Sequence, residues 1–425
     1  MAGKRCLKGV DIMKLRFLGA CREVGRSALL LDDNVMLDYG IKMGEPPEYP
    51  VNGVRPEVVL LSHCHIDHSG LLPNLMDIEP EVFMTPPTAD LANLLLKDSL
   101  KIAESTGVNA PYDAGDLHTF MYKTKTVDYR IKFQTHGYNV EFYDAGHIPG
   151  AACTHVTSKS GESLLYTGDI NTSDTRLVSG AVEFPNADYL AIESTYFSKE
   201  HIPRKETEET FIESLKSTLD IGGNVIIPAF AIGRTQELLM LLDAYGIRPY
   251  VDGMGKEAYE IMMKHPSYLR NPTHLKRAFD NAISVKSSRR DDVPLESSVI
   301  VTTSGMLNGG PSMYYLNKLY DDPKSKMMLT GYQVEGTNGR MAMDTGIIEN
   351  NGVLQQLRLK LEQYDFSAHA GDKELKAIVK DFCDRGTKAV FTMHGDNTEG
   401  FATWIEEEIG VQAYAPVIGE KFDLH

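Results

Sequence analysis

Short apolar runs that stop at a histidine, aspartate or glutamate recur along this chain. They constrain its fold more than any other feature. "PEVVLLSHCH" ends in His63 and His65, "NVEFYDAGH" in His147, "SLLYTGD" in Asp169, "ADYLAIE" in Glu193 and "KAVFTMH" in His394. Runs of this length, rich in Val, Ile, Leu, Phe and Tyr, read as buried strands. Each polar residue then falls at a strand's C-terminal end or in the loop after it. A chain built this way is an α/β protein that carries its chemistry on strand-end loops.

Between these units the pattern changes. "SKEHIPRKETEET" is charged and reads as a linker or helix entry. From "GNVIIPAF" through "GRTQELLMLLDAYG", "PYVDG", "KEAYEIMMKH" and "SSVIVTTSGML" to "KMMLTGY", strands and helices alternate. That is the rhythm of a parallel α/β sheet. The strand-then-histidine units resume near the C-terminus. The order predicts one domain interrupted by another: residues 1–203, an insertion at 204–365, and a return over 366–425. For 425 residues, two domains also match the usual span of about 100–200 residues each. "TADLANLLLKDSLKIAES" predicts an amphipathic helix with Leu91, Leu94, Leu95 and Ile102 on its apolar face. "SGLLPNLMD" predicts a helix start. "KLRFL" predicts the first strand, Met13 is a candidate natural start, and the residues before it read as a poorly ordered leader.

Composition narrows the function. Hydrophobic content of 42 % and charged content of 24 % are those of a globular protein. No apolar run reaches the about 18 residues of a membrane span, and the N-terminus lacks the apolar core of a signal peptide. The five cysteines, Cys6, Cys21, Cys64, Cys153 and Cys383, include no CxxC pair. A disulfide framework and a thiolate zinc ribbon are therefore not expected, and a reducing cytoplasm is. Cys64 and Cys153, next to candidate ligands, read as small packing residues. The net charge of −16 argues against a general nucleic-acid footprint. A cleft holding divalent cations would nevertheless be positive locally.

"SHCHIDHSG", Ser62 to Gly70, carries the most specific chemistry. On an extended segment residues i and i+2 point the same way, so His63 and His65 can grip one ion. Asp67 and His68 follow as the chain turns and can face a second. Imidazole and carboxylate together suit zinc without thiolate. His147 and Asp169 sit in matching loops and are candidates for the missing ligands. A carboxylate such as Asp169 can bridge two cations, one per oxygen. His369 in "FSAHAGD" and His394 in "FTMHGD" are later candidates.

With these motifs in view, the chain resembles the β-CASP group of metallo-β-lactamase-fold nucleases. It is most similar to archaeal and bacterial relatives of the cleavage and polyadenylation specificity factor endonuclease. Asp38 in "LDYG", "HCHIDH", His147 and Asp169 match the four hydrolase motifs, and Glu193, His369 and His394 match motifs A, B and C. The resemblance implies a metallo-β-lactamase αββα sandwich with an inserted β-CASP α/β domain on a parallel sheet. It implies two zinc ions per chain. His63, His65 and His147 would hold one, Asp67, His68 and His394 the other, with Asp169 bridging. Asp38 would orient the histidine loop, and Glu193 with His369 would form a proton-donating dyad.

The implied activity is hydrolysis of single-stranded RNA, by endonuclease or 5′→3′ exonuclease action. Hydroxide held by the metals would attack, leaving a 5′-phosphate and a 3′-hydroxyl. Homodimerisation and RNA-processing partners are implied by the same likeness. Ser304 and Gly305, in a loop expected to open a helix, are candidate phosphate contacts; Arg234 reads equally as a phosphate contact or as a brace of the domain interface. Lys276, Arg277, Lys286, Arg289 and Arg290 form a locally basic stretch that reads equally well as a solvated face. The RNA-binding extension of some archaeal relatives has no counterpart, so grip is expected from the cleft or a partner. Gly371 intrudes where many relatives have Asp directly after "FSAHA". Three rivals remain: a small-molecule hydrolase of the same fold, a DNA-directed β-CASP nuclease, and a scaffold without activity. The inserted domain speaks against the first. His394, where DNA-directed relatives usually carry valine, speaks against the second. The complete ligand set speaks against the third.

Overall fold

A computed structural model describes residues 12–44, 46–350 and 352–424. The leader expected over the first dozen residues lies almost wholly outside the described residues. The chain first forms β1 (Met13–Phe17), β2 (Leu29–Leu31), β3 (Val35–Leu37), β4 (Val58–Leu60), β5 (Glu81–Met84) and β6 (Thr124–Thr126). A second sheet follows with β7 (Phe133–Thr135), β8 (Tyr138–Asp144), β9 (Ala152–Thr157), β10 (Ser163–Tyr166) and β11 (Tyr189–Glu193). A third holds β12 (Val225–Pro228), β13 (Tyr250–Asp252), β14 (Ile283–Ser284), β15 (Val299–Thr302) and β16 (Lys326–Leu329). After the hairpin β17 (Ile347–Asn350) and β18 (Val353–Gln356), β19 (Lys360–Gln363) completes the third sheet. β20 (Ala389–Met393) and β21 (Gln412–Tyr414) return to the second sheet, and β22 (Lys421–Leu424) to the first.

The first two sheets face each other. Side chains alternate along a strand, and the alternation separates two cores. Met13, Leu15 and Phe17 of β1, Val58 and Leu60 of β4, and Tyr189 and Ala191 of β11 share one core with Phe391 and Met393 of β20. The rings of Phe17 and Phe391 lie 5.4 Å apart, centroid to centroid. Val59, Leu190 and Ile192 point outward, into clusters with Leu91 and Leu96 or with Val379, Phe382 and Phe401 from the helices. The result is an αββα sandwich. The third sheet, in the order β14-β13-β15-β12-β16-β19, is parallel throughout, as the alternating pattern predicts. The chain leaves the second sheet after Glu193 and re-enters beside it, pairing Tyr189 with Ala389 and Glu193 with Met393.

Two expectations change. Helix α2 (Pro86–Thr106) buries Ala89, Leu91, Ala92 and Leu96, while Leu94 and Leu95 are only partly buried and Ile102 is 54 % exposed. Leu100 still packs against the core, but Ile102 and most of the residues after it lie at the surface. "SGLLPNLMD" forms no α-helix: Leu72–Asp77 is a 3₁₀ turn, with Pro73 at its start. It follows α1 (Ile66–Ser69).

Candidate metal centre

Direction explains why the polar residues meet. β4 runs parallel to β3, and β10, β11 and β20 run parallel to one another. β8 is antiparallel to β9, which is antiparallel to β10, so β8 and β10 point the same way. Asp38, His63, His147, Asp169, Glu193 and His394 therefore all lie at strand C-terminal ends along one edge of the sandwich. Asp67 and His68 ride on α1. Gly40 makes its approach possible: a Cβ there would lie 1.7 Å from the Asp67 carbonyl oxygen.

Two groups of side chains converge, with candidate ligand atoms within 4.8 Å inside each group. In the first, His65 Nδ1 lies 3.1 Å from His63 Nε2 and 3.3 Å from His147 Nε2. His147 Nδ1 donates to the Ala368 carbonyl at 2.8 Å, so its Nε2 presents a lone pair to the group. In the second, Asp67 Oδ2 lies 3.3 Å from His394 Nε2 and 3.9 Å from His68 Nε2. Asp169 stands between the groups. Its Oδ2 is 3.5 Å from His63 Nε2 and 3.7 Å from His147 Nε2. Its Oδ1 is 3.2 Å from His68 Nε2 and 3.4 Å from His394 Nδ1. That Oδ1 is buried and has no hydrogen-bond partner among the described residues.

These donors fit cations. Burial and neighbouring imidazoles push His63 and His147 well below the usual histidine range, and burial lowers His65 too. Neutral imidazoles are the metal-binding form. Burial opposes charge on Asp67 and Asp169, but the facing histidines win and hold both carboxyls ionised. Burial likewise opposes charge on His68, yet Asp169, Asp67 and Asp38 hold it protonated, well above its ordinary value. Such compensation by a proton is what a bound cation replaces.

Supporting contacts fix the ligands. Asp38, fully buried, accepts from Ser62 N at 2.7 Å, Ser62 Oγ at 2.6 Å, His68 Nδ1 at 2.7 Å and Tyr166 OH at 2.8 Å. A carboxylate accepts only, so His68 carries its proton on Nδ1 and turns Nε2 toward Asp67 and Asp169. Glu193 holds His369 Nδ1 at 2.9 Å and 3.0 Å through its two oxygens, and itself accepts from Ile170 N at 2.7 Å. His369 Nε2 then faces Asp169 Oδ2 at 3.8 Å. Burial disfavours charge on His369, but Glu193 and Asp169 raise it to about 9. Ser62, Tyr166, Thr195, whose hydroxyl sits 3.2 Å from His394 Nδ1, and His201, 3.2 Å from the His369 carbonyl, escape sequence reasoning. Each works through a partner remote in sequence, and none lies in a motif-like spacing, apart from Ser62 beside the histidine cluster.

The candidate phosphate contacts fare unequally. Ser304 and Gly305 do not open a helix. The helix begins at Gly310, and Ser304 N donates to Ser312 Oγ at 3.1 Å. The loop spends its length crossing Phe230, whose backbone N would be 3.0 Å from a Cβ at Gly305. Arg234 does start a helix, Arg234–Ala244. In the basic stretch, Lys276 pairs with Asp280, Arg277 with Asp243, Arg289 with Asp292 and Arg290 with Asp252, which favours a solvated, self-paired face. Cys64 and Cys153 are buried in the core. Among the described residues no helix is long and apolar enough to cross a membrane.

An αββα sandwich with histidines and carboxylates gathered on one edge defines a metallo-hydrolase of the metallo-β-lactamase fold. Residues 235–341 match the Beta-Casp domain, and residues 355–416 match the Zn-dependent metallo-hydrolase RNA specificity domain. The chain is 36 % identical to probable RNase MJ4 of Methanocaldococcus jannaschii, over 97 % of this chain and 100 % of that one. It is 36 % identical to RNase aCSPSF2 of Saccharolobus solfataricus, over 98 % and 87 %. It is 32 % identical to transcription termination factor FttA of M. jannaschii, over 97 % and 72 %. A crystal structure of a protein of unknown function from Enterococcus faecalis V583 shares the fold, with a TM-score of 0.60 at 12 % identity, over 97 % of this chain and 100 % of that one. The chain belongs to the β-CASP family of metallo-hydrolases.

Proposed function

We propose that this protein hydrolyses phosphodiester bonds of single-stranded RNA with two zinc ions. The observation that carries this reading is Asp169, whose two oxygens face two separate ligand groups beside the Glu193–His369 pair. His63, His65 and His147 would hold one ion and Asp67, His68 and His394 the other, with Asp169 shared. When bound, zinc supplies charge neutralisation at the phosphoryl group and an activated water near neutral pH. The chain's own residues do the rest. Asp38 keeps His68 in one tautomer. Glu193 keeps a proton on His369 and orients the ring, so that Nε2 delivers that proton to the departing 3′-oxygen as the P–O bond breaks. RNases among the relatives support RNA as the substrate.

Matched single-stranded RNA and DNA oligonucleotides of one sequence, labelled at either end, test this reading on zinc-loaded protein. RNA cleavage with DNA left intact is expected. Internal fragments indicate endonuclease action, and stepwise shortening from the 5′ end indicates exonuclease action. Cleavage of DNA in preference to RNA would overturn the substrate assignment.

A further inference from the structure

Arg234 begins α5 (Arg234–Ala244), an 11-residue helix that follows β12. Its Nε and Nη1 are buried, and neither has a hydrogen-bond partner among the described residues. Leaving buried guanidinium N–H groups without an acceptor is costly. Two carboxylates are near, Glu237 and Asp365. Glu237 already accepts from Arg176 N at 3.1 Å, Leu177 N at 2.9 Å and Arg204 Nη2 at 3.0 Å. Asp365 accepts from His201 Nδ1 at 2.6 Å and Ser367 N at 2.8 Å. Arg204 adds a second positive charge, and the N-terminal end of the helix adds a partial one. Burial, with Arg204 beside it, brings Arg234 down to about 10, far below an ordinary arginine. Two arginines and two carboxylates balance formally here, but the hydrogen bonds that both carboxylates accept come from other groups, and none comes from Arg234 Nε or Nη1.

The position is as telling as the unmet donors. Gly233, just before Arg234, closes on Ile148, with a Cβ position 2.8 Å from Ile148 Cγ2. Ile148 follows His147. Tyr196, which faces Arg234, has its ring 5.9 Å from that of His369 and 4.5 Å from that of His201. Arg234 therefore lies on the seam between the third sheet and the sandwich, one aromatic layer from the Glu193–His369 pair. We infer that Arg234 and the start of α5 form a second anion site, which takes a backbone phosphate next to the scissile one. The inference rests on the RNA reading above. A planar guanidinium fork matches phosphate oxygens, and a phosphate would supply the acceptors that Arg234 Nε and Nη1 lack.

Three measurements on zinc-loaded protein test it. Thermal unfolding is followed with and without inorganic phosphate, for wild type and Arg234→Gln. RNA affinity is followed against salt in a His369→Ala background, which slows cleavage, with and without Arg234→Gln. Without phosphate, Arg234→Gln is expected to unfold at the wild-type temperature or above it, because it removes buried guanidinium N–H groups that lack an acceptor. The rise that phosphate gives the wild type should shrink in the variant. RNA affinity should fall about tenfold or more, and the salt slope should fall by about 0.7, the share of one phosphate contact on a single strand. Arg234→Lys should keep the slope while losing affinity, and it serves if the glutamine variant does not fold. An Arg234→Gln variant that unfolds several degrees lower with an unchanged slope would overturn the inference and make Arg234 a structural brace. A lost phosphate response with an unchanged RNA slope would also overturn it, leaving a site for free anions only. Wild-type protein that binds no RNA would sink the RNA reading itself, and this inference with it. That outcome is distinct from a wild type and variant that bind RNA alike.

Discussion

Asp38 touches no candidate metal position, yet four hydrogen bonds end on it, from Ser62, His68 and Tyr166. Replacing it by asparagine puts an NH₂ group against at least one of these donors and releases the His68 tautomer. Asp38→Asn is expected to weaken zinc binding by about 10–100-fold, read by competition with a zinc chelator, while Tyr166→Phe costs less. At His369 the sign of the pH dependence follows from its neighbours. The ring must carry its proton to donate it, so activity falls as pH rises through the His369 pKa. Zinc offsets the lift that Asp169 and Asp67 give, and the loaded enzyme's alkaline limb should lie below 9. The lift from Glu193 remains. Glu193→Gln should therefore move that limb to lower pH, and His369→Ala should cut kcat by about 10²–10⁴ without changing zinc content. A pH–rate profile and metal analysis check both. The positions of His63, His65, His147, Asp169 and His394 were legible because each follows an apolar run. Their supports were not, since Tyr166 and Asp38 are far apart in sequence and meet only when the two sheets face each other.

At the scale of elements, the strand-end loops are set by close backbone approach. Gly40 admits α1 beneath the loop after β3, and a methyl group there meets the Asp67 carbonyl. Gly40→Ala should displace α1, lower stability by about 2–4 kcal/mol and reduce zinc occupancy at the Asp67 side. Denaturant unfolding and metal content would show this together. Hydrophobic runs announced the strands that carry the site, β4, β8, β10, β11 and β20, but not short or polar ones such as β6, β7 and β14. They failed where a tertiary neighbour decides: Ile102 carries the helical period of α2 but lies at the surface, and Ser304 precedes the helix start by a loop that must first clear Phe230. The helical period of a sequence says which face is apolar, not how far the opposing surface reaches.

Across the whole molecule, the insertion is held to the sandwich by a polar seam. Arg176 grips Glu208 of the helix Arg204–Asp220 through Nε at 3.0 Å and Nη2 at 2.5 Å. Arg270 donates to the Thr175 carbonyl at 2.8 Å, and its backbone N to Leu177 at 2.9 Å. Arg176→Met leaves Glu208 without its bidentate partner. It should raise KM for RNA more than it lowers kcat, because it loosens the cleft and leaves the ligands in place. Steady-state kinetics on one oligonucleotide would separate the two effects. This seam had no sequence signature: its partners are ordinary charged residues and backbone carbonyls, remote from one another in sequence.

Two zinc ions, held on either side of Asp169, would be required for RNA cleavage under the function proposed above. The most direct test measures zinc per chain and cleavage of end-labelled single-stranded RNA, on wild type and on Asp67→Ala. Two zinc ions and cleavage are expected in the wild type; in Asp67→Ala the zinc of the second group and cleavage should both be lost. Full cleavage by Asp67→Ala, or by wild-type protein stripped of metal, would contradict the two-zinc requirement.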